Sequence, residues 1–288
     1  MVSVIMPSMN QKTFIATSVE SVLSQKYSNL ELIIIDGGST DGTIEWLTMQ
    51  QALDSRLRFF SEPDTGPANA LNKAFRKTRG TIIGWLNSDD LYTSGAIDRA
   101  VQLLVINPSW LMVYGHAQHI DASGIVLDQY PTLRPDTLIE QFGTGCFICQ
   151  PTVFFKRTMY VLLGQFDEKL KTSFDFDYWL RAFKCLHGRI GFVEALQAQS
   201  RLHDDCITST QRRTIAIEGL LVLFRHLGIA PVHWVLTHLN EVLASQTQKS
   251  DALQLYMTNM LDELKLLIGE ELCLPMERVI QERISECT

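Results

Sequence analysis

Residues 80–92 read GTIIGWLNSDDLY: a glycine, a strand-like apolar run at 81–86, and then two carboxylates side by side, Asp89 and Asp90. A continuous apolar run that breaks off into charge marks a buried strand leaving its sheet. Two neighbouring carboxylates at that point repel, and one is driven toward protonation unless a cation compensates. What this strand carries to its end therefore decides both the fold and the chemistry.

Upstream the same unit repeats. VSVIMPS (2–8) is β-rich, and Phe14, Ile15, Val19, Val22 and Leu23 follow it at helical spacing. LELIIID (30–36) is a near-continuous apolar run of the kind covered on both faces of a parallel sheet. It ends in DGGSTDGT, where Gly37 and Gly38 permit a tight turn and Ser39, Thr40 or Asp41 can cap the next helix. LRFFSE (57–62), a helix over 67–79 and TIIGWL complete a βαβα alternation. That rhythm predicts an α/β fold with a mainly parallel sheet flanked by helices.

Beyond residue 92 the pattern changes. WLMVYGHAQHI and IVLDQY flank the turn sequence DASG and predict antiparallel additions to the sheet. FICQPTVFF (147–155) reads as another strand, 174–187 as a helix, and the chain from about Thr208 as helices only. The predicted division is a main domain over 1–208 and a C-terminal helical extension over 209–288.

Composition narrows the function. Of 288 residues, 46% are hydrophobic and 20% charged, which describes an ordered globular chain. The formal charge of −7 argues against sequence-independent nucleic-acid binding, which depends on lysine and arginine neutralising phosphates. An anionic ligand would need a cation. The apolar run LLVLF (220–224) stops at Arg225 and His226, short of the roughly 18 residues of a transmembrane span. VSVIMP does not read as a secretory signal, so the expected location is cytoplasmic. Cys146 and Cys149 form CFIC while the other four cysteines are scattered, and all six read as structural thiols in preference to a zinc or redox site.

In an open α/β sheet, ligands bind beyond the carboxyl ends of the strands. Four polar groups fall there: Ser8 with Asn10, Asp36, Glu62 with Asp64, and Asp89 with Asp90. Any one alone reads as a helix cap or turn former. Four at one edge read as a ligand site. Magnesium and manganese take oxygen ligands and share one or two carboxylates with substrate phosphates. A divalent metal, Mn2+ or Mg2+, would relieve the aspartate pair and let an acidic protein receive a diphosphate.

PSMNQ, IIIDGGSTDGT, EPDTGPANALNKAF, GTIIGWLNSDDLY and FDEKLKTSFDFDYWLR, in that order and spacing, resemble the inverting nucleotide-sugar glycosyltransferases of family 2 over about residues 2–208. The resemblance implies a GT-A type nucleotide-diphospho-sugar transferase fold, with 1–208 as its catalytic domain. It implies transfer of a sugar from a UDP- or dTDP-like donor to an acceptor hydroxyl in polysaccharide or glycoconjugate synthesis. Asp36 would face the base or ribose, with Pro7, Ser8 and Asn10 shaping the same pocket and Asp64 at its rim. Asp89 would lie near the ribose or donor sugar, and Asp90 would bind the metal. Many relatives carry arginine before the asparagine of the segment matching NALNK; here Leu71 stands there and Lys73 is the nearby cation.

Aligned on WLR, Asp175 falls at the position of the base that deprotonates the acceptor, and Asp177 at a second acidic position that holds the helix start. A sugar hydroxyl has a pKa far above neutral, so a carboxylate within reach must take its proton as the new bond forms. Phe174 stands where relatives often have glutamate, which leaves the choice between the two aspartates open. SRLHDDCITST resembles a stretch in which His203 would be a metal ligand or diphosphate contact and Arg201 a phosphate partner. By the same resemblance Gln150 would hydrogen-bond the acceptor. That acceptor is a saccharide, a lipid-linked molecule or a protein, and a lipid-linked one leaves membrane association open.

In the tail, Leu253, Met257, Met260, Leu264 and Leu267 are spaced 4, 3, 4, 3. This narrow stripe suits a helix pair, made by packing on the catalytic domain or in a homodimer. Asp262, Glu263, Glu270 and Glu271 make its polar face a poor match for anionic lipid. A sugar-nucleotide-forming nucleotidyltransferase would open with a glycine-rich phosphate loop and a basic residue, and a dehydrogenase with G-x-G-x-x-G; PSMNQKTF has neither. A catalytically silent nucleotide-sugar-binding or scaffolding module is the alternative from another class. Asp89, Asp90, Asp175 and His203 speak against it.

Overall fold

Consecutive isoleucine, leucine and valine residues leave a strand no polar face, and such segments take the centre of the sheet. The computed structural model describes residues 1–244 and 250–285. β1 (Val2–Ser8), α1 (Ile15–Leu23), β2 (Leu30–Asp36), α2 (Thr43–Leu53), β3 (Leu57–Ser61), α3 (Pro67–Lys77) and β4 (Ile82–Trp85) alternate as expected. β1 pairs in parallel with β2 and β4, and β2 with β3. The following elements are β5 (Leu91–Tyr92), α4 (Ala96–Ile106), β6 (Met112–Ile120), β7 (Val126–Gln129), β8 (Phe154–Lys156), α5 (Arg157–Leu163), α6 (Phe174–Cys185) and β9 (Ile190–Arg201). They complete a nine-stranded sheet in the order β3-β2-β1-β4-β8-β6-β9-β5, with β7 on β6.

β8 runs antiparallel to β4 and β6, and β7 forms the hairpin with β6. β9 lies parallel to β6 and antiparallel to β5. Under the sheet, Ile15, Val19 and Val22 of α1 and Ile97, Ala100 and Leu104 of α4 are buried against Val4, Met6, Leu32 and Ile34. Parallel register sets Ser8 opposite Asp36, and Asp36 opposite Ser61. The carboxyl ends of these strands therefore share one edge.

Two segments depart from expectation. FICQPTVFF is not one strand: Pro151 has no amide to give to a ladder and the Thr152 hydroxyl donates to Cys149 O at 2.7 Å, so Gln150–Thr152 closes as a 3-10 turn before β8. β9 was not legible as a strand of its own, and its register with β6 shifts on both sides of His116.

The chain divides into two compact units, Met1–Ile139 with Cys146–His203, and Glu140–Gly145 with Asp204–Thr288. The division thus falls after His203 where the sequence suggested 208, and a short inner segment belongs with the tail. In the second unit, α7 (Ile207–Thr210), α8 (Arg212–Leu227), α9 (His233–Ala244), α10 (Ser250–Ile268) and α11 (Glu270–Ser285) pack together. Leu253, Met257, Met260 and Leu264 are buried where α10 meets α8 and α11, while Leu267 is 38% exposed and Leu261 and Ile268 are buried in its place. The stripe that suggested a homodimer is thus covered by helices of its own unit. Among the described residues no helix is long and apolar enough to cross a membrane.

Candidate active site

The turn after β1 is laced to the turn after β2. Asn10 holds φ at +53°, a left-handed conformation that asparagine tolerates better than most residues. From there its N–H donates to Ser39 Oγ at 2.7 Å and its Oδ1 accepts the Thr40 N–H at 2.8 Å. Asp36, fully buried at the end of β2, accepts the N–H groups of Gly38 (3.0 Å) and Ser39 (2.8 Å) and the Ser39 hydroxyl (2.6 Å). A Cβ at Gly37 would stand 2.8 Å from Asp64 Oδ2 and 2.9 Å from Met9 Sδ, so only glycine allows this approach. Asp64 itself caps the next turn, accepting the Gly66 N–H at 2.9 Å. Ser8 is buried with no partner for its hydroxyl, and Pro7 beside it is half-buried.

Pro7, Ser8, Asn10, Asp36 and Asp64 are thereby brought to one place. Lys73, expected to offer a cation, is turned to its own loop: Nζ donates to Pro63 O at 2.6 Å and lies 3.9 Å from Glu62.

Beyond β4 the two aspartates part company. Asp90 points inward, with Oδ1 accepting the Arg201 N–H at 2.8 Å and Oδ2 the Asn87 amide at 3.2 Å. Burial first, and then the charge of Asp89, push its carboxyl well above the usual carboxylate range, against hydrogen bonds from Arg201, Ser200 and Asn87. Asp89 points the other way, and its Oδ2 lies 3.1 Å from Nε2 of His203. The repulsion between the pair is relieved because burial favours the protonated form of Asp90 while Asp89 meets an imidazole. Of the two aspartates expected at this strand end, Asp89 is the one whose carboxylate meets His203, while Asp90 is held by backbone and amide donors.

Arg201 is a clamp and not an open phosphate partner. It donates from Nε to Asp89 O at 2.8 Å and from Nη1 to Asp121 O (3.0 Å) and Ala122 O (3.1 Å), with its guanidinium over the Phe14 ring. Among the described residues no group of three or more His, Cys, Asp or Glu gathers as a metal cluster. Asp89 and His203 supply one carboxylate oxygen donor and one imidazole nitrogen at 17% and 7% side-chain exposure. Two protein ligands fit a magnesium- or manganese-type ion that takes its remaining oxygens from phosphates and water.

At the start of α6, Asp177 accepts Arg181 Nε at 2.9 Å and pairs with its Nη2 at 2.8 Å. Asp175, half-buried in the same first turn, accepts the Phe176 N–H at 2.7 Å. Burial and then Asp175 push the Cys146 thiol up to about 12. Cys149 is raised by burial and then by the charges of Asp90, Cys146 and Asp175. Both cysteines are free and protonated, as structural thiols should be.

Gln150, expected to meet an acceptor, turns its amide into the fold. Nε2 donates to Trp85 O at 2.7 Å and Oε1 is buried without a partner, a consequence of the 3-10 turn at Pro151.

Other residues that shape the site escaped the sequence reading. Met9 and Asp64 crowd Gly37, Asn87 links Trp85 to Asp90, and Asn72 ties α3 to the segment before α6. Asn72 did leave a signal, as a polar residue on the buried face formed by Ala68, Leu71 and Phe75.

Residues 3–161 match the family model described as Glycosyl transferase family 2. The Escherichia coli UDP-Glc:alpha-D-GlcNAc-diphosphoundecaprenol beta-1,3-glucosyltransferase WfgD is 31% identical over 187 residues, 64% of this chain and 70% of WfgD. Residues 1–349 of S. aureus TarS, solved with UDP-GlcNAc, share the fold with a TM-score of 0.65 at 15% identity, over 92% of this chain and 81% of that one. The mannosyltransferase PcManGT from Pyrobaculum calidifontis, solved with GDP-Man and Mn2+, does so with a TM-score of 0.57 at 18% identity, over 99% and 79%. The chain spans 30% to 66% of the length of the curated relatives it matches at 26–28% identity.

Proposed function

The chain belongs to glycosyl transferase family 2, and we propose that it is a metal-dependent inverting enzyme moving a sugar from a UDP- or dTDP-type donor to an acceptor hydroxyl in polysaccharide or glycoconjugate synthesis. The observation that carries this reading is the Asp89–His203 approach of 3.1 Å, made by residues 114 positions apart at the carboxyl end of β4. UDP-GlcNAc on TarS, GDP-Man with Mn2+ on PcManGT and the UDP-Glc in the name of WfgD support a nucleotide-sugar donor.

In this reading residues 1–139 and 146–203 form the catalytic unit. Pro7, Ser8, Asn10, Asp36 and Asp64 receive the nucleoside. A divalent cation held by Asp89 and His203 would, when bound, neutralise charge on the departing diphosphate. Asp90 acts behind them, fixing the Arg201 backbone and through it the approach of His203. Asp175 takes the proton of the acceptor hydroxyl as that oxygen attacks the anomeric carbon, and a single in-line displacement inverts the centre. Asp177 holds the first turn of α6 through Arg181, which keeps Asp175 in place.

The test is nucleoside diphosphate release from UDP-GlcNAc, UDP-glucose and dTDP-glucose, with and without Mn2+ or Mg2+, alongside NMR of the product anomer. Release that requires the cation, with inversion, is the expected result. Nucleotide binding without turnover across a broad acceptor panel would favour a silent binding module.

A further inference from the structure

The helical unit contains a cavity of about 360 Å3 that the transfer reaction does not use. This is the lower end of the roughly 300–1,000 Å3 of small-molecule sites, room for a single ring and its substituents. Its apolar wall is formed by Trp234 with Ile215 and Ala216, and the indole N–H is already given to Gly143 O at 2.9 Å. The lining also includes Arg212 and Glu241, paired at 2.7 Å and each partly exposed, and the exposed Thr237.

Charge decides what such a cavity takes. Arg212 and Glu241 cancel. His238 is buried beside them with Nε2 on the Tyr256 hydroxyl at 2.9 Å and Nδ1 lacking a hydrogen-bond partner, 3.9 Å from Glu241. Burial, then Arg213 and Arg212, hold its pKa below the usual histidine value, so the ring is neutral. Arg213, the other cation felt by His238, is itself paired with Glu263 at 2.8 Å, so each neighbouring cation already has its carboxylate and none is left over for an ionic ligand. A neutral ring with adjacent hydroxyls finds a carboxylate to donate to, a guanidinium to accept from and an indole for its C–H face.

We propose that the helical unit carries a second saccharide site, separate from the donor pocket, that takes one neutral pyranose ring. The proposal rests on the transferase reading only for its expectation that glycans are the molecules this protein meets.

The full chain is titrated with methyl β-D-glucopyranoside and with N-acetylglucosamine, read by saturation-transfer NMR and tryptophan fluorescence, with glucuronic acid as the anionic control. Thr237→Trp fills the cavity from an exposed position, and Glu241→Gln removes the acceptor charge. Saturable millimolar binding of at least one neutral sugar, weakened roughly tenfold or more by both variants, is expected. Thr237→Trp changes no buried or charged group and decides the matter if Glu241→Gln does not fold. Three results would overturn the site: no saturation by either neutral sugar up to about 100 mM, undiminished binding in Thr237→Trp, or tighter binding of glucuronic acid. The thermal shift produced by UDP is measured in parallel and should not change in either variant. Its absence from the wild-type chain would count against the transferase reading alone.

Discussion

Replacing Asn72 with alanine tests whether a single buried amide holds the segment that leads into α6. Asn72 is fully buried on α3. Its Nδ2 donates to Phe166 O at 3.0 Å and Glu168 Oε1 at 2.8 Å, and its Oδ1 accepts the Phe166 N–H at 3.1 Å and the Tyr160 hydroxyl at 3.0 Å. The change removes four hydrogen bonds, but not all of them count equally. Glu168 keeps the bond from Asn69 at 2.8 Å, and the Tyr160 hydroxyl can rotate. The N–H and C=O of Phe166 cannot move away, and each buried group left unpaired costs about 1–3 kcal/mol. Allowing for a water entering the space, the loss is about 3 kcal/mol, or about 6–12 °C in Tm. Differential scanning calorimetry of the purified chain reads this directly. Asn72→Asp should be no better than alanine, because it keeps the acceptor but sets a second carboxylate against Glu168. An Asn72→Ala midpoint within about 1 °C of wild type would refute the reasoning and show that the segment before α6 is held by its aromatic contacts alone.

Asp89→Asn and His203→Ala should each lower metal-stimulated turnover by about 100-fold or more with little change in Tm, since both groups are within reach of a ligand and neither carries the core. Asp90→Ala should instead lower Tm by several degrees, because it orphans the buried Arg201 N–H and the Asn87 amide; calorimetry beside activity separates the two roles. Asp175→Asn should retain the UDP thermal shift and lose transfer, while Asp177→Asn, which breaks the tie to Arg181, should lower stability first; retained turnover in Asp175→Asn would place the base elsewhere. Glu31 supplies a pH prediction. Burial would raise its pKa, but hydrogen bonds from the Ser3 hydroxyl, the Arg79 N–H and Arg58 outweigh that and hold the carboxyl below its ordinary value. A depressed carboxylate contributes stability above its unfolded pKa of about 4.3 and loses it as pH falls through the folded value, so Glu31→Gln should flatten the acid limb of the Tm-versus-pH curve.

The parallel half of the sheet was readable because its strands declare themselves: no residue from Leu30 to Ile35 is polar except Glu31, so the segment has no face to give to water. β9 hides because Glu194, Gln197 and Gln199 break its apolar order, and because its register with β6 shifts, so neither alternation nor a continuous run survives. The shared edge that brings Ser8, Asp36 and Ser61 into register was legible from strand ends alone. Which aspartate of the pair faces outward was not, since the turn made by the Asp90 N–H on Asn87 O (3.3 Å) ends the two-residue period of the strand. Nor does the sequence show that the Lys73 ammonium rests on the carbonyl of Pro63, a contact made across ten residues of loop and helix. The tail's stripe was correctly seen as a helix-pairing surface, but nothing in its spacing says that the partners are α8 and α11 of the same chain.

The insertion of β9 between β6 and β5 has a consequence for the nascent protein. Every residue proposed to hold the nucleoside is synthesised by position 64, whereas His203 follows immediately behind β9, the last strand to be laid down. The Asp89–His203 approach can therefore form only after β9 has been laid down between β6 and β5, which makes it one of the last contacts of this unit to be completed.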